Sequence, residues 1–261
     1  MKKIFNLTYW FLIGLGSAAL LVLTAAFLYL NPQIPDTRSF SEVALKAPLR
    51  IYSDDGLLIQ EFGERLTPVT FEEIPPLFIK ALLDTEDKRF FEHGGIDVVT
   101  LVNATWQLVR NRGQIRTGAS TITMQLVKNI SGDIEVRFLR KFKEMLLAIK
   151  IERELSKEQI LTLYLNIIPF GKHAFGIQAA ANTYYGKDVD QLSLAQLAML
   201  AGIPQAPEAG NPINGPRRSI TRRNLVLLRM LEQGSISQVQ YDEAFQSPIT
   251  AQVYVRNVEL P

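Results

Sequence analysis

From Ile4 to Pro35 the chain carries no Asp, Glu, Lys or Arg, and its densest apolar part runs from Tyr9 to Leu30. In hydrocarbon every backbone N–H and C=O must be paired within the segment, so a run of this kind is confined to a helix. About 20 such residues cross a bilayer. Tyr9 and Trp10 at one end and Tyr29 at the other suit the two interfaces. The apolar core of a cleaved signal peptide is shorter, about 7–15 residues, so residues 9–30 are predicted to be an uncleaved anchor. Lys2 and Lys3 put residues 1–8 in the cytoplasm and everything after Asn31 on the other side. The expected order is then a linker over 31–48, a folded domain over 49–246 and an extended tail over 247–261.

Of the 261 residues 47% are hydrophobic, enough for one sizeable core. A formal charge of +2 gives no electrostatic footprint for nucleic acid, and none is expected as a partner. No cysteine is present, which excludes disulfides and thiolate metal sites. Leu49–Ser53 and Leu57–Ile59, separated by Asp54-Asp55-Gly56, read as a small β-hairpin. Beyond it the periodicity is almost wholly helical. Pro75-Pro76 opens a first helix and Val98–Arg110 makes a second. A basic, glycine-bearing loop from Asn111 to Ala119 leads to Ser120, the expected N-cap of a helix through Asn129. A long helix over 136–154 is expected to bury Phe138, Phe142, Met145, Leu146 and Ile149, with Leu147, Ala148, Ile151 and Leu155 as a weaker second stripe. Ser156 with Gln159, and Ser237 with Gln240, form capping boxes for two later helices. Between them, Pro216–Gln233 sets Arg217, Arg218, Arg222, Arg223 and Arg229 around a leucine stripe.

At about 3.6 residues per turn, Phe78, Ile79, Leu82, Leu83 and Phe90 share one face of the first helix. Glu86 falls in the middle of that face and Asp87 at its flank. A carboxylate there is costly unless it is paired, protonated or lining a cleft. The catalytic reading of Glu86 therefore competes with a plain pairing to Arg89 or His93. The helix is expected to stop at Gly94-Gly95, leaving His93 at its C-terminal end. Thr121, Gln125 and Lys128 form a polar stripe at i, i+4 and i+7. Arg140 and Glu144, at i and i+4, sit on a helix that is apolar on two sides, where a charged pair is more often functional than decorative. Two carboxylates on different helices, with an arginine and a lysine nearby, suit sugar chemistry with an anionic leaving group.

Five stretches in order carry a resemblance. They are Glu86-Asp87 with Phe90, His93 and Gly95-Ile96-Asp97; Gly118-Ala119-Ser120-Thr121-Ile122-Thr123 with Gln125, Lys128 and Asn129; Arg140-Lys141 with Glu144 and Ala148; Ile160-Leu161 with Tyr164-Leu165-Asn166 and Phe170-Gly171; and Leu197-Ala198 through Ala201-Gly202-Ile203-Pro204-Gln205-Ala206-Pro207 with Asn211-Pro212. Together they resemble the bacterial peptidoglycan glycosyltransferases, the transglycosylase domain found in class A penicillin-binding proteins and in single-domain transglycosylases. The resemblance implies a mainly α, two-lobed, lysozyme-like domain carrying the small N-terminal hairpin, preceded by one transmembrane helix. It implies a single-pass protein of the bacterial inner (cytoplasmic) membrane with the domain periplasmic or extracellular. The implied activity is inverting polymerisation of lipid II, with growing lipid-linked glycan as donor and undecaprenyl diphosphate released.

On this resemblance Glu86 and Glu144 are the catalytic candidates, Glu86 as general base. Lys128, Arg140 and Lys141 would hold the donor diphosphate. Glu144 would orient it or help hold a divalent cation such as Mg or Mn; no organic cofactor is implied. Ser120, Thr121, Gln125 and Asn129 would bind substrate on the donor side, and Asp87, Phe90 and His93 would shape the acceptor side. Trp106 and the arginines near it suit contact with membrane lipids. Transpeptidases and other cell-wall synthesis proteins are the implied protein partners. Met124 stands where the family usually has a second glutamine. No serine in this sequence has lysine three residues later and Lys-Thr-Gly does not occur, so no acyl transfer is expected of it. Two rival functions remain: a muramidase with Glu86 as general acid, and a catalytically silent scaffold for wall assembly.

Overall fold

The computed structural model describes residues 67–111, 118–131 and 140–254 with side chains. It describes the backbone alone of 49–52, 58–62, 65–66 and 137–139, and scattered positions between 9 and 29. The predicted anchor is covered only by those scattered positions, which are helical, with Tyr9, Trp10 and Tyr29 exposed. Among the described residues no helix is long and apolar enough to cross a membrane. The linker over 31–48, residues 112–117 of the basic loop and residues 255–261 of the tail lie outside the described residues.

The fold is mainly helical. Strand β1 (Leu49–Tyr52) pairs antiparallel with β2 (Leu58–Phe62), Leu49 opposite Phe62, while β3 (Arg65–Leu66) runs parallel to β4 (Ala174–Phe175). The helices are α1 (Pro76–Glu86), α2 (Val98–Arg110), α3 (Ile122–Ser131), α4 (Arg137–Glu154) and α5 (Lys157–Ile167). After them come α6 (Ile177–Tyr185), α7 (Leu194–Gly202), α8 (Pro216–Glu232) and α9 (Gln238–Gln246). Their starts follow from local chemistry. Pro76 and Pro216 occupy first-turn positions where no N–H is missed. Ser156, Ser193 and Ser237 close capping boxes with Gln159, Gln196 and Gln240. Asp97 caps α2 by accepting from the Thr100 N–H at 3.0 Å.

Helix α1 packs against α7 and α8, and α3 packs against α4 and α5. One apolar core joins the two groups, drawing Phe78 and Leu82 from α1, Leu126 from α3, Ile151 from α4, Leu165 from α5 and Leu227 from α8. Each such side chain contributes about 1.5–3 kcal/mol by leaving water. The site lies where the groups meet.

Three local expectations are corrected. Helix α1 ends at Glu86, and Asp87 leaves helical conformation at φ −158°. It does so because its carboxylate is engaged elsewhere, by His93 and by the Ile122 N–H. Phe90, 1% exposed, enters the core from the turn that follows, and His93 belongs to that turn and not to a helix end. On α4 the buried stripe is the one expected to be weaker: Leu147, Ala148 and Ile151 are buried with Glu144, whereas Phe142, Leu146 and Ile149 are only half-buried. The side chain of Phe138 lies outside the described residues. Finally, α3 is capped by Thr121, whose Oγ1 accepts from the Met124 N–H at 3.2 Å, and not by Ser120.

The α4 outcome has a steric cause. Gly95, at φ +95°, presses on the α4 backbone so closely that a Cβ there would lie 2.7 Å from the Ala148 carbonyl. Only a residue without a side chain fits, in a conformation only glycine adopts freely. Gly95→Ala is expected to cost about 2 kcal/mol or more through strain and clash together. A drop of several degrees in the thermal midpoint is the outcome to look for; an unchanged midpoint would contradict the close approach.

Candidate active site

Glu86 is the last residue of α1, so its side chain leaves the helix where the chain begins to turn. Both carboxylate oxygens are engaged. Oε1 accepts from Arg222 Nη2 of α8 at 2.8 Å, and Oε2 accepts from Gln125 Nε2 of α3 at 3.1 Å. The Gln125 amide oxygen in turn accepts from the Tyr164 hydroxyl of α5 at 2.9 Å. Three helices therefore converge on one carboxylate, which remains 15% exposed. Gly202 at the end of α7 makes the approach of Arg222 possible: a Cβ there would sit 2.8 Å from Arg222 Cγ. Burial first, then the charges of Arg229 and Arg218, pull the Arg222 guanidinium below its ordinary range, and Glu86 opposes them. Burial, reinforced by the charges of Glu86 and Asp87, pushes the Tyr164 phenol far above its usual range.

Glu86 opens into a cavity of about 290 Å³. It is lined as well by polar side chains of α3 and α4: Gln125, Lys128 and Asn129 from the first, Arg140, Lys141 and Glu144 from the second. Ser120, Met124, Tyr164 and the Pro204-Gln205 pair complete the polar and apolar rim. Glu144 is 5% exposed and organises the cations: its Oε2 accepts from Lys141 Nζ at 2.8 Å, and its Oε1 lies 3.6 Å from Arg140 Nε. Lys141 Nζ also donates to Ser120 Oγ at 2.8 Å. Arg222 borders a second hollow of about 240 Å³ with Arg218, Thr221 and Leu225, and Gln205 lines both hollows.

The sequence-predicted residues separate into two sets. Glu86, Ser120, Gln125, Lys128, Asn129, Arg140, Lys141 and Glu144 share the cavity. Asp87, Phe90, His93 and Thr121 do not line it, and all four are buried. Their hydrogen bonds show why. Asp87 Oδ1 lies 3.0 Å from His93 Nε2, and Oδ2 accepts from the Ile122 N–H at 3.0 Å. His93 Nδ1 accepts from the Gly95 N–H at 3.2 Å, which requires the tautomer that donates from Nε2 to Asp87. Thr121 Oγ1 donates to the Gly95 carbonyl at 2.6 Å. Lys157 Nζ donates to the His93 carbonyl at 2.7 Å, pairs with Glu152, and stands 4.3 Å above the Phe90 ring. These contacts hold the turn after Glu86.

Two site residues escaped the sequence reading of roles. Arg222 appeared only as one of several arginines around a leucine stripe, and its partner is 136 positions away. Its signal was the shared face of Arg218, Arg222 and Arg229 at i, i+4 and i+11, which is too many arginines for a face that packs on α1 and α7. Tyr164 appeared only inside a motif. As to a metal, no group of three or more His, Asp or Glu able to hold one occurs among the described residues. Both oxygens of Glu144 already face cations. This donor set fits a divalent cation only if the remaining ligands come from phosphate oxygens and water, the usual manner of Mg²⁺.

Comparison with known proteins gives a consistent result. The transglycosylase family model matches residues 55–231. Penicillin-binding protein 1A of Pseudomonas aeruginosa is 47% identical over 259 residues, 99% of this chain and 31% of that protein. Penicillin-binding protein 1A of Escherichia coli is 44% identical over 248 residues, covering 95% of this chain and 28% of that one. A crystal structure of penicillin-binding protein 1A from Haemophilus influenzae aligns with a TM-score of 0.48 at 30% identity, over 81% of this chain and 22% of its own. The chain thus spans just under a third of the length of the curated relatives it matches.

The buried network carries a testable consequence. His93→Ala removes a donor from a carboxylate that is 7% exposed, which should cost about 2–3 kcal/mol. A lowered thermal midpoint with retained helical circular dichroism is expected. Unchanged stability would mean that Asp87 is held without His93.

Proposed function

The chain belongs to the transglycosylase family, and on that premise we propose that it is a peptidoglycan glycosyltransferase polymerising lipid II into glycan strands. Its place would be the outer face of the bacterial cytoplasmic membrane, anchored through residues 9–30. The observation that carries the reading is one cavity lined by both Glu86 and the cations Lys128, Arg140 and Lys141. Such a cavity can accept a proton and hold a departing anion in the same event.

In this reading the Glu86 carboxylate takes the proton of the acceptor's 4-hydroxyl. Its two oxygens offer about four lone-pair sites. With one donor on each, room for the hydroxyl remains. The freed oxygen attacks the anomeric carbon of the lipid-linked donor sugar, and the carbon–oxygen bond to the diphosphate breaks with inversion. The leaving group departs as undecaprenyl diphosphate, its charge met by Lys128, Arg140 and Lys141. Glu144 positions the last two. A diphosphate is already a good leaving group, so charge stabilisation matters more than acid catalysis. Glu144 would be the residue to hold a divalent cation, which would supply Lewis-acid stabilisation of the same charge. The second hollow, beyond Arg222, leaves room for sugar on the far side of Glu86.

A membrane-bound substrate requires the cavity to lie near lipid, and α2 offers the means. Val98, Val99, Val102, Trp106 and Val109 are all exposed, with Trp106 at 65%, and they are joined by Phe91. They make an apolar face on a helix whose last residue is Arg110, suited to an interface with anionic headgroups. Sedimentation with anionic phospholipid vesicles should therefore weaken several-fold in a Val102→Glu/Val109→Glu variant, with the thermal midpoint unchanged because both positions are exposed. Equal binding would remove α2 from the membrane contact.

The activity is tested with labelled lipid II. Purified protein should yield long glycan, and Glu86→Gln should lower the rate by at least about 100-fold, the usual contribution of a general base. Shortening of preformed glycan by the intact protein would favour a muramidase instead. A Glu86→Gln rate within about tenfold of the parent would remove Glu86 from the role.

A further inference from the structure

Gln125 is an amide with two chemically different faces, and the activity of its neighbour depends on which face is presented. A carboxylate can only accept, so Glu86 requires the NH₂ side of Gln125 and would be repelled by its carbonyl. Nothing in the amide itself selects that orientation. The selection comes from Tyr164. Its hydroxyl donates to Gln125 Oε1 at 2.9 Å, while Gln125 Nε2 donates to Glu86 Oε2 at 3.1 Å. Tyr164 is 0% exposed, and burial keeps its phenol protonated at any workable pH. It therefore acts as a permanent donor that leaves the Gln125 oxygen only one direction to face.

We propose that Tyr164 is a positioning residue for the transfer reaction, acting through the Gln125 amide to hold the Glu86 carboxylate aimed into the cavity. The proposal rests on the reading of Glu86 as general base. The other polar and charged groups around this carboxylate are Arg222 of α8, bonded to its second oxygen, Asp87 next in the chain, and Lys128, Arg140, Lys141 and Glu144 lining the same cavity. The Gln125 Oε1 acceptor is engaged by the Tyr164 hydroxyl. Without the phenol, the Gln125 amide loses its second anchor and can swing away from Glu86, which withdraws one donor from the carboxylate. A base that loses a donor to its anion takes up its proton at higher pH.

The experiment is the pH dependence of the initial rate with lipid II for the parent chain, Tyr164→Phe, Gln125→Met and the double variant. For Tyr164→Phe the acid limb should move up by about half to one pH unit, the equivalent of one neutral hydrogen bond. Phenylalanine fills the same apolar site, and the thermal midpoint, measured alongside, separates a folding defect from the predicted effect. In the Gln125→Met background, Tyr164→Phe should add no further shift, because the intermediary is gone. An unmoved limb in Tyr164→Phe, or an additive shift in the double variant, overturns the relay. If Glu86→Gln is inactive in that case, the base assignment stands on its own. If Glu86→Gln keeps its activity, the base assignment itself fails, and the relay with it.

Discussion

A carboxylate taken out of water next to the end of a helix has to be satisfied completely, and the way Asp87 is satisfied determines where Glu86 points. Asp87 accepts from His93 and from the first N–H of α3, so it ties the exit of α1 to the entrance of a helix 35 positions later. Breaking such a set by removing one partner would strand a buried charge, which costs several kcal/mol. Asp87 is accordingly drawn out of the helical region, α1 stops one residue earlier, and Glu86 becomes a terminal residue facing a gap. The turn that follows is held from below by Lys157 on the His93 carbonyl and by Thr121 on the Gly95 carbonyl. Asp87, His93 and Thr121 thus carry the framework of the turn beside the cavity.

The same constraint accounts for the unequal treatment of the two carboxylates in the cavity. Glu86 receives one donor on each oxygen and stays accessible. Glu144 is deeper, and both of its oxygens face cations of its own helix, Lys141 and Arg140. An arginine and a lysine held by one buried carboxylate pay for part of their desolvation in advance. Ser120 fixes the direction of Lys141 further.

Much of this was legible from the residues alone, and what was not has specific causes. Capping chemistry is local, so the starts of α5 and α9 could be read from Ser156 with Gln159 and Ser237 with Gln240. The meeting of Glu86 with the cations of α3 and α4 was anticipated through motif order. Three things were not. The end of α1 depends on Asp87 bonding to a backbone N–H of α3, which no window around Asp87 contains. The inner face of α4 was chosen by the close approach of Gly95, a steric fact that hydrophobic counting misses, since Phe142 and Leu146 are larger than Ala148 and still lie further out. Arg222 needed the packing of α8 on α1 before its partner could be seen. In each case a long-range contact overrode a local pattern that was read correctly as far as it went.

The arrangement also bears on transfer against hydrolysis. A muramidase of the two-carboxylate kind needs one carboxyl group that holds a proton for the leaving oxygen and a second that works on the opposite face of the sugar. Here both oxygens of Glu86 already accept, one from a guanidinium and one from an amide N–H. Glu144 is occupied by Lys141 and Arg140 and is not free to activate water or to form a covalent intermediate. A neutral glycan would find nothing to do with Lys128, Arg140 and Lys141, which instead enclose a volume suited to a polyanion. A cavity that gathers Lys128, Arg140 and Lys141 around one accessible carboxylate suits the proposed transfer, whose leaving group carries its own charge.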